Sequence, residues 1–256
     1  MIVNNPTNPT QGFIQQVQIA YKGNSNWPAA GSPKYLMYLA VANRLQGGWA
    51  MDSNVLWNSL FKQRTYGPVV ATSQTYDLDS DVFYLSDSVY IQRLDGNLDE
   101  FRVVHPNARN DDTGDNAGYT GGDSGNPLVF LTGTAAYQGS NLTLNFQTPF
   151  QTVQNGITQT SLDVGGTIQL GCYALPNDLK NANDTVTVDD PFWLVWQTAS
   201  ELARNDPSKQ DQVPNLTGLA NQSYERMQTA NQGNSFEQPN GPRYMFPQAG
   251  VNWDQV

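Results

Sequence analysis

The strongest constraint on this chain is where its two hydrophobic periodicities fall. Apolar residues recur at helical spacing near both ends, while roughly 120 residues between them read as strands and polar loops. Near the N-terminus Phe13, Val17, Ala20 and Tyr21 form one stripe, with Thr10 placed to cap it. Ser32-Pro33 restarts a helix with a cap and a first-turn proline. Tyr35, Tyr38, Leu39, Ala42, Leu45 and Trp49 are its inward face, and Gly47-Gly48 should weaken or end it. A shorter helical piece is expected from Asn54 to Phe61, carrying Val55, Leu56, Trp57 and Leu60. Near the C-terminus Asp189-Asp190-Pro191 opens a helix whose Phe192, Val195, Trp196, Ala199, Leu202 and Ala203 share a face. Asn205-Asp206-Pro207 stops it, and Leu216, Leu219, Ala220, Tyr224 and Met227 mark a fourth.

Such short helices are marginal alone, so the two ends of the chain are expected to close on each other. The predicted fold class is therefore α+β: a helical bundle formed by N- and C-terminal helices with a large β-rich insertion. Its predicted divisions are 1–65 (arm and first helices), 66–187 (β-rich insertion), 188–232 (last helices) and 233–256 (extended tail). Within the insertion, Val82–Leu85, Ser88–Ile91, Phe101–Val104, Leu128–Leu131, Leu142–Phe146 and Thr167–Tyr173 read as strands, with a turn at Asp95-Gly96.

Only 14% of residues are charged, so the surface is solvated mainly by amides and hydroxyls. The net charge of -10, with 13 scattered basic residues, argues against gripping a phosphate backbone. It suits a wall past which DNA slides without sticking. One cysteine and one histidine exclude a disulfide framework and Cys- or His-rich metal sites. Cys172, inside the apolar run Ile168–Leu175, is expected to be a buried, inert thiol. No apolar run approaches the ~20 residues of a membrane helix. The first residues, Met1 to Pro6, lack the basic and apolar regions of a signal peptide.

Two local patterns invite chemistry. Gly122-Asp123-Ser124-Gly125-Asn126-Pro127 resembles the stretch around the nucleophile of chymotrypsin-like serine proteases. That serine needs a base and an orienting carboxylate. The only candidate base, His105, lies 19 positions upstream across an Asn/Asp/Gly loop and is followed directly by Pro106. A turn into the strand at Leu128 accounts for the match, and no catalytic residue is expected. Asn110 to Asn116 is dense in carboxylates, but its glycine sits at the wrong offset for a calcium loop and no Glu follows. A solvated loop is expected there, with no metal and no cofactor. Trp49, Trp57, Trp193 and Trp196 lie on helical stretches, where core packing explains them as well as sugar binding would. The tail, with Pro239, Pro242 and Pro247, cannot be a regular helix, yet it carries Phe236, Tyr244, Met245, Phe246 and Trp253. Those five residues are the predicted partner-binding clamp.

The ends also resemble the head-to-tail connector (adaptor, or neck) proteins of tailed bacteriophages. The resemblance rests on the loop Asn24-Ser25-Asn26-Trp27-Pro28 before a Tyr/Leu/Ala helix, and on Tyr76-Asp77-Leu78-Asp79-Ser80-Asp81-Val82. It continues in Ala174-Leu175-Pro176-Asn177-Asp178-Leu179, in Asp189 to Val195, in the helix Ala199 to Asp206, and in Tyr224-Glu225-Arg226-Met227. It covers most of the helical part. It implies a virion structural protein rather than an enzyme, made in the host cytoplasm and placed in the neck between head and tail. Its partners would be further copies of itself, usually twelve in a ring, together with the portal protein and tail or neck proteins. DNA would pass through without sequence-specific binding, and no membrane is involved. Extended arms at residues 1–10 and 233–256 would clamp neighbours. The alternatives are another tail or neck component, of stopper or tail-tube type, and a serine protease.

Overall fold

This computed structural model describes residues 1–52, 55–104, 127–135 and 139–235, and among these described residues are four α-helices, nine strands and three short 3₁₀ turns. It divides into two compact units, Met1–Ser59 with Pro176–Val256, and Leu60–Leu175.

The second unit is built on one sheet. Strands β1 (Phe61–Tyr66), β2 (Thr75–Asp77), β3 (Val82–Gln92), β4 (Leu98–Val104), β5 (Leu128–Thr132), β6 (Thr143–Phe146) and β9 (Thr167–Ala174) pair in the order β1-β9-β3-β4-β5-β6-β2. All neighbours are antiparallel except β4 and β5, so the sheet is mixed. Register shifts in β3, between Val82 and Tyr84 and between Leu85 and Val89, mark bulges. Bulges bend a strand and increase its twist, which fits the curled, half-barrel form. The alternating inward residues of β3, β4, β6 and β9 make one core: Leu85, Val89, Phe101, Leu144, Ile168 and Leu170 are among its buried members. A separate ribbon, β7 (Gln151–Gln154) with β8 (Ile157–Thr160), turns through Asn155 and Gly156 at φ 52° and 77°. Two positive φ values in a two-residue loop match the twist of a hairpin.

The helical unit centres on α3 (Pro191–Arg204), against which α1 (Phe13–Lys22), α2 (Pro33–Ala50) and α4 (Val213–Ser235) all pack. Asp190 caps α3, its carboxylate accepting from the Phe192 N–H at 3.0 Å and from the Ser223 hydroxyl of α4. Ser32 caps α2 by accepting from the Tyr35 N–H at 3.3 Å. Trp57 is fully buried, stacked on Trp49 at 5.0 Å and edge-on to Tyr224 at 5.6 Å. Asp206 joins the end of α1 to the end of α3. It accepts from Tyr21 at 2.8 Å and pairs with Lys22 at 2.6 Å.

This architecture corrects the predicted fold class. The protein is a mostly-sheet fold with only four helices among the described residues, not a helical bundle with a β-rich insertion. From sequence alone the period-2 segments look like an appendage, because sequence shows each strand singly. In the fold β9, far along the sequence from both, inserts between β1 and β3, and one continuous sheet with its own core results.

Smaller expectations also change. The helical piece at Asn54–Phe61 is instead a 3₁₀ turn, Asn58–Leu60, running into β1. Gly47-Gly48 does not end α2, which continues to Ala50. Gly12 rather than Thr10 takes the cap of α1, with no side-chain bond. Trp196 is only half-buried, stacking on Phe192 at 6.1 Å. The N-terminal arm is tied to its own subunit instead of reaching out. The N–H groups of Val3 and Asn4 donate to the Asp184 and Ala182 carbonyls at 2.8 and 3.0 Å, and Val3 is fully buried.

Candidate functional site: an acidic cleft edged by leucines

The hairpin joining β3 to β4 turns at Asp95-Gly96, where the Gly96 N–H donates to the Arg93 carbonyl at 3.0 Å and Gly96 takes φ 87°. Beside this turn lie the residues that flank the β7–β8 ribbon. The Ser161 N–H donates to the Phe150 carbonyl at 2.8 Å, closing the ribbon's base. Between them is a cleft of about 520 Å³. Phe101, Pro149 and Phe150 give it an apolar lining. The floor is locked from below, since Phe146 meets Phe101 edge-on at 5.0 Å and Phe150 at 5.1 Å.

The polar side is a small ion set. Arg93 donates through Nε to Asp163 at 3.1 Å and pairs through Nη2 with Asp99. Asp163, buried at 7% exposure, also accepts from the Ser161 hydroxyl at 2.9 Å. Burial raises the Asp99 carboxyl above its ordinary range, and the neighbouring Asp163 pushes the same way. The hydrogen bond to Asp163, with Asp99 adding to it, holds Arg93 charged. Glu100 accepts from the Ser88 hydroxyl at 2.6 Å and from Tyr90 at 3.4 Å. Asp95 is held ionised chiefly by the Asn97 N–H. One guanidinium thus stands among four carboxylates.

Around this acidic cleft stand aliphatic side chains in water. Leu94 is 82% exposed, Leu98 57% and Leu162 71%. The ribbon beyond adds Val153 at 68% and Ile157 at 66%. Such side chains together expose on the order of several hundred Å² of apolar surface, the scale of a functional patch. The arrangement suits a surface that is itself aliphatic and carries cations. Among the described residues no group of three or more His, Cys, Asp or Glu side chains is placed to hold a metal ion.

A second ion set on the same unit has a mechanical task. Arg64 of β1 bridges Asp79 and Asp81, and Tyr66 donates to Asp79 at 3.0 Å, pinning the edge strand to the loop before β3. Burial raises the Tyr66 hydroxyl to about 12.

The residues singled out from sequence fall elsewhere. His105, Ser124, the Asn110–Asn116 stretch and the clamp residues Phe236, Tyr244, Met245, Phe246 and Trp253 lie outside the described residues. Cys172 is fully buried in the sheet core, and burial pushes its thiol up to about 11. Trp49, Trp57 and Trp193 are buried in the helical unit, as core packing requires. Local sequence pattern does not mark the leucine-edged cleft as a site, although its pieces are visible. Leu94 and Leu98 flank a turn dipeptide, and Val153 and Ile157 flank Asn155-Gly156.

Compared with known proteins, the chain matches no family model and no curated protein.

Proposed function

We propose that the chain is a virion structural protein, a head-to-tail connector (adaptor or neck) that joins a phage portal to the tail as a ring through which DNA passes. The observation that carries this reading is the leucine-edged acidic end of the sheet unit. Leucines left mostly in water at both flanks of a turn bury little of themselves in their own unit, and an assembly part uses such a surface to join the next component. The low share of charged residues and the net charge of -10 support a conduit that does not retard a polyanion. The sequence resemblance supplies the rest: a ring of about twelve copies with portal and tail or neck proteins as partners, placed in the virion neck. The work is mechanical and non-enzymatic in this reading.

A stopper or tail-tube component is the second reading. The curled seven-stranded sheet favours it, because such parts are organised around sheet rather than helix. Co-sedimentation with purified portal rings separates the two. A connector binds bare portal rings. A stopper binds only once a connector is in place, and that result would overturn the first reading.

A further inference from the structure

Helix α2 is apolar on both of its sides. Tyr35, Tyr38, Leu39, Ala42 and Trp49 are buried inward. On the outer side Leu36 is 54% and Met37 46% exposed, and Ala40 one turn on is exposed as well. Helices with apolar residues all round are normally covered all round, and no described residue of its own unit covers this outer side. Its charge is equally one-sided. In a chain of net charge -10, α2 contains no Asp or Glu, and its charged residues are Lys34 and Arg44. Arg44 reaches Glu201 at 3.3 Å, but that carboxylate is shared with Arg204 at 3.2 Å. Lys22 of α1 lies near enough to Lys34 to oppose its charge, adding to the effect of burial. The outer side of α2 is therefore aliphatic, with the exposed Arg44 as its cation and Lys34 at its flank, where Nζ lies 5.6 Å from the Tyr38 ring.

The leucine-edged end of the sheet unit has the opposite charge and the same apolar character. Leu94, Leu98 and Leu162 stand beside Asp95, Asp99, Glu100 and Asp163, with Arg93 as the only cation in that set. We infer that the outer side of α2 in one copy seats the leucine-edged end of a second copy, so that copies join head to tail. A second copy is the fitting occupant because both complementary surfaces belong to this chain. Pairing α2 with α2, or cleft with cleft, would set like charges against each other. A heterologous contact also uses both surfaces of every copy, and it either closes into a ring or runs on as a filament. The apolar patches are smaller than the ~800 Å² per partner of a standard stable interface. A single contact is therefore weak, and assembly depends on concentration and on closure. The inference rests on the proposed function only for the ring, and the pairing of surfaces stands or falls separately.

Two double variants test it, each confined to exposed side chains: Leu36→Asp with Met37→Asp, and Leu94→Lys with Leu162→Lys. Sedimentation velocity follows association, and circular dichroism checks that both variants melt like the parent. The parent should associate beyond a dimer, while each variant alone should associate about 100-fold more weakly, as expected when central anchors of an interface are lost. Mixed together, the variants should form a one-to-one dimer and nothing larger, since one intact α2 side then meets one intact leucine-edged end. Normal assembly of either variant alone, or no dimer in the mixture, overturns the inference. So does a parent that stays monomeric up to about 1 mM, a concentration that already detects contacts of ~4 kcal/mol. Co-sedimentation of the Leu36→Asp, Met37→Asp variant with portal rings reads the connector function separately, since that variant leaves the leucine-edged end intact. Binding there upholds that function whatever the copies do to each other.

Discussion

Replacing Trp57 tests how the helical unit is held together. Its side chain is fully buried between Trp49, stacked at 5.0 Å, and Tyr224, edge-on at 5.6 Å. Its Nε1–H donates to the Trp49 carbonyl at 2.8 Å. A buried tryptophan removes about 150–250 Å² from water, or about 4–6 kcal/mol at 25 cal/mol per Å². Residual compactness of the unfolded chain trims that to roughly 3–5 kcal/mol, which also matches measured large-to-small substitutions. Losing the Nε1–H removes its hydrogen bond to the Trp49 carbonyl, which keeps the Asp52 N–H at 3.3 Å, at about 1 kcal/mol. Trp57→Ala should therefore cost about 4–6 kcal/mol. Trp57→Phe keeps a ring in the stack and should cost about 1.5–2.5 kcal/mol, mainly the hydrogen bond and the smaller volume. Urea unfolding followed by far-UV circular dichroism measures both. With two compact units the curve need not be two-state, so the loss is read from the transition that Trp57→Ala moves. As the opposite control, Leu85→Ala, at a fully buried position of the sheet core, should move the other unit's signal by about 2–5 kcal/mol. A cost below about 1.5 kcal/mol for Trp57→Ala, or equal costs for Ala and Phe, would refute the reasoning.

Gly166→Ala would place a Cβ 2.6 Å from the Gln92 carbonyl oxygen and 2.9 Å from that of Asp163, so backbone must move. Thermal unfolding should show a loss of about 1–3 kcal/mol, whereas Gly48→Ala, in open space on α2, should gain about 0.5–1 kcal/mol. Asp206 is held well below its usual 3.8 by Lys22 first, then by Ser208 and Tyr21. A depressed carboxylate contributes stability above the unfolded value that is lost as pH falls through the folded one. Acid titration should thus weaken the helical unit below about pH 4, and Asp206→Asn should flatten that slope. An unchanged slope in the variant would show that Asp206 carries none of it. Cys172, buried and raised to about 11, should resist a thiol-specific disulfide reagent at pH 8 until the sheet unit unfolds. Labelling at the rate of a free cysteine would contradict its place in the core.

What sequence showed, and what it hid, follows from the range of the signals. Caps and stripes are local, so Ser32-Pro33 and Asp190-Pro191 located α2 and α3 nearly to the residue. The strands around Val82, Leu128 and Thr167 were visible because alternation or a short apolar run needs only a few residues. The turn at Asp95-Gly96 was visible as a dipeptide. Strand β1 escaped because Phe61-Lys62-Gln63-Arg64-Thr65-Tyr66 carries charge and is mostly exposed, as an edge strand can be. Ribbon β7–β8 escaped because its strands expose polar residues on both faces, although Asn155-Gly156 was a usable hairpin signal. The relative weight of sheet and helix was not legible at all. It depends on β9 pairing with both β1 and β3, contacts across about a hundred residues that no local period encodes. The cleft was hidden for the same reason, since Arg93 and Asp163 meet only when the β3–β4 hairpin lies beside the base of the ribbon.

The central claim is that this chain is a ring-forming joint of a virion. Native mass spectrometry of the purified protein, alone and after mixing with portal rings, tests it most directly, because it counts copies. A closed homo-oligomer of about twelve subunits is expected, from the resemblance and the closure rule for head-to-tail contacts, present alone or templated by the portal. A species of one copy in both samples, with the portal ring's mass unchanged, would contradict it.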